Sequence, residues 1–155
     1  MFFVSIAARL DDTTHLIAAV AFVLTGPLVG VELGVAAFTN PLVSELPDDA
    51  YRVFRSGGSR LLGALMPFWY IGTLVVLIAA AVATRQVPAV VAVALMGAAV
   101  LLSVTVLVPI NNRIGAWRTG DDVDRELAGR WDRLHRVRVG LLAAMFVALT
   151  VGVVG

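Results

Sequence analysis

The chain has 155 residues, 59% of them apolar and only 15% charged, with a mean hydropathy of +0.91. Soluble domains carry about 25% charged residues, so this chain has too little polar surface to coat itself in water. A net charge of +1 lacks the basic excess of nucleic-acid binders, and the absence of cysteine excludes disulfides, thiolate metal sites, iron–sulfur clusters and cysteine nucleophiles.

Four apolar runs follow one another along the chain, at about 16–38, 61–83, 87–110 and 137–154. Crossing the hydrocarbon core takes about 20 helical residues, so the first three qualify on length. The fourth is short, but a helix-favouring charged stretch at about 122–136 precedes it and extends its helix outside the lipid. The expected fold is all-α, a single domain forming a four-transmembrane-helix bundle. Asp11, Asp12 and His15 stand where a cleaved signal peptide would carry its basic region, which argues against such a peptide.

In the first run Gly26, Gly30 and Gly34 repeat every four positions, a stripe that favours close helix approach. Glu32 is the only acid inside any run. A charge in the bilayer costs about 2.5–3.5 kcal/mol on insertion scales. Glu32 must therefore face the bundle interior, a cavity or a cation, either as a structural Glu–Arg pair or as a functional group. Thr39-Asn40-Pro41 ends the run, and the helix is expected to stop there because of Pro41.

Arg52, Arg55 and Arg60 follow in the first loop, where Ser56-Gly57-Gly58-Ser59 lacks the strand–helix context of a dinucleotide fingerprint. Pro27, Pro67 and Pro109 bend helices for packing in the plainest reading. Ser103 and Thr105 are expected to bond to their own helix carbonyls. The third run ends in Pro109-Ile110-Asn111-Asn112-Arg113, where the asparagines serve either as a cap or as the lining of a pocket mouth.

Asp121, Asp122, Asp124 and Glu126 are expected at the N-terminus of the last helix. Trp131, His135 and Arg138, spaced four then three, share one face of it. Trp131 fits an interfacial belt residue and Arg138 a snorkelling side chain. His135, at the apolar boundary on the same face, is either a satisfied structural histidine or a working one.

Four spans put both termini and the second loop on one side. That side holds two arginines, Arg9 and Arg85, against ten around the first and third loops. The positive-inside rule then makes both long loops cytoplasmic, in a multi-pass protein of the inner or plasma membrane. The polar residues converge on a site facing the cytoplasmic leaflet. His15 and His135 lie on opposite sides, so bis-histidine haem is excluded, and iron sites needing two or three histidines cannot be built. A looser site of His135 with Glu32 would be poor in metal ligands.

Three features together resemble the anthrone oxygenase-like family of small four-helix membrane proteins. They are a glycine-rich first helix ending in Asn-Pro (Gly30 to Pro41), Pro-x-Asn at Pro109 and Asn111, and Trp-x3-His-x2-Arg at Trp131, His135 and Arg138. The resemblance covers about residues 16–153 and carries Asn40, Asn111, Trp131, His135 and Arg138 as site residues. It implies oxidation of anthrones to anthraquinones in aromatic polyketide tailoring. The residues fit a monooxygenase without an organic cofactor, with O₂ as co-substrate. His135 is the expected base, Arg138 and Asn111 stabilise an oxyanion, Glu32 orients His135 or pairs with Arg138, and Trp131 stacks on a planar apolar aromatic substrate drawn from the lipid bilayer. Two other classes fit the same residues: a non-catalytic accessory or interaction protein, and a carrier using Glu32 that would require a homo-oligomer.

Overall fold

The computed structural model describes the backbone of residues 2–154 and the side chains of residues 13–152. The side chains of Arg9, Asp11 and Asp12 lie outside the described residues. Every regular element among them is helical. Helix α1 (Phe2–Gly34) continues through a π-turn (Val35–Thr39) into α2 (Asn40–Ser44), and α3 spans Asp48–Thr84. Helix α4 (Val87–Leu102) continues through a second π-turn (Ser103–Leu107) into α5 (Val108–Gly115), and α6 spans Arg125–Val154. Four rods, Thr13–Ser44, Asp48–Thr84, Val87–Gly115 and Arg125–Gly152, are long and apolar enough to cross a membrane.

The first and third rods do not end where the sequence places their stops. Asn40 N–H donates to Val35 O and Val108 N–H to Ser103 O, both five residues back, so each rod carries one extra residue in one turn. Pro41 and Pro109 each follow two residues after a π-turn. Proline has no N–H to donate, and the shifted ladder there accommodates it without ending the rod. Pro41 therefore does not stop its helix. Asn111 is not a C-cap, because the helix runs on to Gly115.

The charged stretch before the last span also begins differently. Residues 120–122 form a short 3₁₀ turn closed by a capping box between Thr119 and Asp122. Helix α6 starts later, with Asp124 Oδ1 accepting from Leu127 N–H at 2.8 Å in the N-cap manner. Asp121 and Asp122 thus belong to the loop and not to the helix end.

Helix α1 packs on α3 and α6, and α4 packs on α3 and α6, which closes a four-membered ring of rods. Two apolar cores lie one above the other. The core near the termini gathers Leu28, Leu77, Met96, Leu142 and Met145, with Ala92 and Ala99 letting α4 and α6 approach closely. The second core, at the Arg-rich loop end, gathers Val43, Tyr51, Ile114, Trp117 and Leu127. The glycine stripe contributes little to either. A Cβ added at Gly30 or Gly34 would meet nothing within 4 Å, and only Gly26 has a neighbour, Phe146.

Candidate active site

Between the two cores lies a polar layer. On each rod that supplies it, the polar residue sits between residues of the upper core and the lower one: Glu32 between Leu28 and Val43, Ser103 between Ala99 and Ile110, and His135 and Arg138 between Ala128 and Leu142. Glu32 is 3% exposed and His135 1%. Both are buried, and the layer supplies partners for the Glu32 carboxylate and for His135 Nδ1, while His135 Nε2 has none.

Arg138 is the centre of that layer. Its Nη2 donates to Glu32 Oε2 at 2.7 Å and contacts His135 Nδ1 at 3.0 Å, while Nη1 donates to Ser103 Oγ at 3.1 Å. A guanidinium can only donate. Nδ1 of His135 therefore accepts, and the ring proton sits on Nε2. The 3.3 Å separation of His135 Nδ1 from Glu32 Oε2 is the third side of a triangle whose apex is Arg138 Nη2, and not a hydrogen bond of its own. Arg138 does not snorkel; it is a buried cation paired with the buried carboxylate of Glu32.

Two further residues complete the layer, and the sequence reading missed both. Tyr70 Oη donates to Glu32 Oε1 at 2.7 Å. Its helical stripe gave a signal: Tyr70, Thr73, Leu77 and Ala80 repeat at three and four residues and are all buried. Arg55 joins three rods at the lower edge, donating to Asn40 Oδ1 at 3.1 Å, Asp132 Oδ1 at 2.9 Å and Ala128 O at 3.3 Å. Its guanidinium carbon lies 5.3 Å from the centre of the Trp131 ring. Trp131 in turn stacks on His135, with centroids 4.7 Å apart and planes 15° apart.

The polar layer forms one end of a cavity of about 340 Å³, within the range of small-molecule sites. All six residues singled out in the sequence, Glu32, Asn40, Asn111, Trp131, His135 and Arg138, line it, together with Tyr70 and Arg55. Asn111 donates its amide to Ser59 O at 2.9 Å and thereby ties α5 to α3. That approach depends on a glycine, since a Cβ at Gly63 would lie 3.1 Å from Asn111 Nδ2. The remaining wall is apolar. Val31, Phe54 and Leu61 line the cavity and are also 40%, 48% and 69% exposed on the outer face of the bundle, so the cavity opens toward lipid. Among the described residues no three His, Cys, Asp or Glu side chains converge as a metal-binding group.

A sequence profile of the family described as anthrone oxygenase matches residues 50–148, well over half of the chain. The chain belongs to the anthrone oxygenase family. No curated protein and no solved structure matches it. The portion shared with the anthrone oxygenase family includes Arg55, Tyr70, Asn111, Trp131, His135 and Arg138, whereas Glu32 and Asn40 come from the rod that precedes it. Membership in the anthrone oxygenase family supports an oxygenase-like role for the chain.

Proposed function

We propose that the protein is a membrane-embedded monooxygenase that oxidises an activated CH₂ carbon of a small apolar phenol- or anthrone-like substrate to a ketone, using O₂ and no organic cofactor. The observation that carries this reading is the buried Glu32–Arg138–His135 triangle, with Tyr70 on its far side, at the polar end of a cavity open to lipid. A cavity beside these groups, where an accessory protein would be filled by side chains, favours a ligand site over a purely structural bundle.

Each residue has a chemical part. The substrate's carbonyl or phenol oxygen takes a hydrogen bond from His135 Nε2–H, which acidifies the neighbouring carbon and holds the oxyanion as it forms. Histidine assists proton abstraction in this scheme as a donor, because Arg138 occupies its lone pair. Glu32, the one carboxylate lining the cavity, takes the proton. The electron-rich carbanion adds O₂ to give a peroxide, which on protonation loses water to leave the ketone. One oxygen atom enters the product and the other leaves as water, so no external reductant is required. Trp131, already stacked on His135, buttresses the imidazole. The substrate partitions into the bilayer and enters sideways past Val31, Phe54 and Leu61. In this reading the site faces the cytoplasmic leaflet of the cell membrane, which the ten arginines at the loop end support through the positive-inside rule.

The test is aerobic incubation of purified protein with a panel of phenolic and anthrone-like compounds under ¹⁸O₂, with elemental analysis of the same sample. Product carrying one labelled oxygen is expected. His135→Ala should reduce turnover by about 10²–10⁴-fold while leaving the protein folded, and full activity in that variant eliminates the scheme.

A further inference from the structure

Helix α3 carries two adjacent glycines inside it, Gly57 and Gly58, within the segment Ser56-Gly57-Gly58-Ser59. Glycine is the poorest helix former after proline, so a glycine inside a helix calls for a local reason. Two other glycines show such reasons. A Cβ at Gly63 would press on Asn111 Nδ2 at 3.1 Å, and one at Gly115 would touch Ser59 and Arg60 at 3.7 Å. Gly58 has no such neighbour. A Cβ there would meet nothing within 4 Å, and its φ is not positive. Neither packing nor backbone conformation requires a glycine at this position.

What Gly58 borders is the cavity. It belongs to the cavity wall, whereas Gly57 does not. Residues three and four apart share a helix face. That spacing places Gly58 between the lipid-facing Phe54 and Leu61 at the mouth and Leu62 further in. Its depth follows from a neighbouring contact. Helices α3 and α6 both start at the loop end, and Arg55 of the first meets Asp132 of the second. Three residues further along each helix come Gly58 and His135, so the two lie at about the same depth. The side chain missing at Gly58 therefore leaves room at the level of the imidazole, beside the mouth.

We propose that Gly58 determines the size of guest the cavity admits: the missing side chain makes room for a fused multi-ring molecule that reaches from the polar layer toward the mouth, and a side chain there restricts the cavity to single-ring guests. The proposal rests on the reading of this cavity as a site entered from the bilayer, and it holds whether or not the guest is turned over. A single ring seated at the polar end stops short of the mouth. A rigid fused system extends past Gly58 and cannot fold away from an added side chain. Gly57, on the same helix with the same open surroundings but outside the wall, is the matched control.

The experiment is anaerobic equilibrium dialysis of the protein in nanodiscs against phenol and anthrone, a single ring and a fused three-ring system, each corrected for partition into empty nanodiscs. In Gly58→Leu the affinity for anthrone relative to phenol should fall about tenfold, the low end of what a misfit of a methylene or more gives in an apolar pocket. Gly57→Leu should keep the wild-type ratio. Gly58→Ala should shift the ratio in the same direction by less. It should also raise the melting temperature, because alanine favours the helix and its Cβ meets no obstacle. Should Gly58→Leu fail to fold, Gly58→Ala decides by the same ratio. An unmoved ratio in the folded Gly58 variants, or an equal shift in Gly57→Leu, overturns the proposal. A lower melting temperature in Gly58→Ala overturns it as well, since the glycine would then have a structural reason. Wild-type protein that binds neither compound sinks the oxygenase reading together with this one. The expected selectivity without turnover of any panel compound would sink the oxygenase reading alone, and turnover with an unmoved ratio would sink this one alone.

Discussion

Glu32 and Arg138 lie 106 positions apart in the chain, yet a carboxylate oxygen of one and a guanidinium nitrogen of the other meet at 2.7 Å inside the bundle. The pair joins the first rod to the last. Breaking it from one side leaves a buried charge without its counter-ion, which costs about 3–5 kcal/mol. Glu32→Gln and Arg138→Met should each lower the unfolding free energy in lipid-like micelles by that order. The double variant should fall short of the sum by about 0.5–3 kcal/mol, since it removes both charges. Strict additivity would show that the two side chains do not sense each other.

Arg55 is a positioning residue. It orders Asn40, Asp132 and the Ala128 carbonyl at once and packs its guanidinium near the Trp131 ring. A lysine ammonium lacks the planar fork needed to hold these three acceptors on two neighbouring rods at once. Arg55→Lys and Arg55→Met should therefore both raise KM several-fold with a smaller effect on kcat, through a loosened Trp131. A fall in kcat alone, with KM unmoved, would instead mean that Arg55 acts on the reacting atoms.

The π-turn at Ser103–Leu107 is an α-helix with one residue too many. Thr105 sits in it, exposed and bonded only to its own helix at Leu101 O. Deleting Thr105 should restore a regular helix and leave Ile110 and Ile114 in register with the lower core. Thermal stability should stay level or rise, while turnover falls by at least about tenfold because Ser103 no longer meets Arg138. Unchanged activity in a stable deletion variant would show that the turn does not shape the site.

The third loop should loosen in acid. Asp122 accepts from the Thr119 and Arg118 amides at 2.8 and 2.7 Å, and these bonds hold its carboxyl below the usual carboxylate range. A depressed pKa in the folded state stabilises the loop above the unfolded value of about 3.9, and that stabilisation disappears as pH falls through the folded value. Limited proteolysis between residues 116 and 124 should accelerate below about pH 4, and Asp122→Asn should remove this acid dependence. A cleavage rate that follows pH identically in both proteins would assign the effect to another group.

Much of this was legible in the residues. Hydropathy over about 20 residues finds the spans, and a lone acid inside an apolar run advertises Glu32. The spacing of Trp131, His135 and Arg138 puts them on one helix face. Arg55 was hidden because three arginines in one loop already satisfy the positive-inside rule, and nothing local separates it from Arg52 and Arg60. Tyr70 was masked by Phe68 and Trp69, which give it the look of an interfacial aromatic. The helix stop at Pro41 was misplaced, and of the two readings of Asn111 the cap fails while the cavity lining holds, for a different reason. A proline breaks a regular ladder, but a π-turn shifts the ladder by one residue, and hydropathy carries no trace of that shift. The proton position on His135 was equally invisible, because it depends on an arginine that can only donate.

The two halves of the bundle are built to different tolerances. Ala92 and Ala99 are fully buried where α4 packs extensively against α6. The first rod's lower half, beyond Gly34, meets α3 more sparsely, with a polar tie from Arg55 to Asn40. The proposed entry route past Val31, Phe54 and Leu61 thus runs along the sparsely packed side of the ring, where the Arg55–Asn40 hydrogen bond is a cross-tie between the first rod and α3.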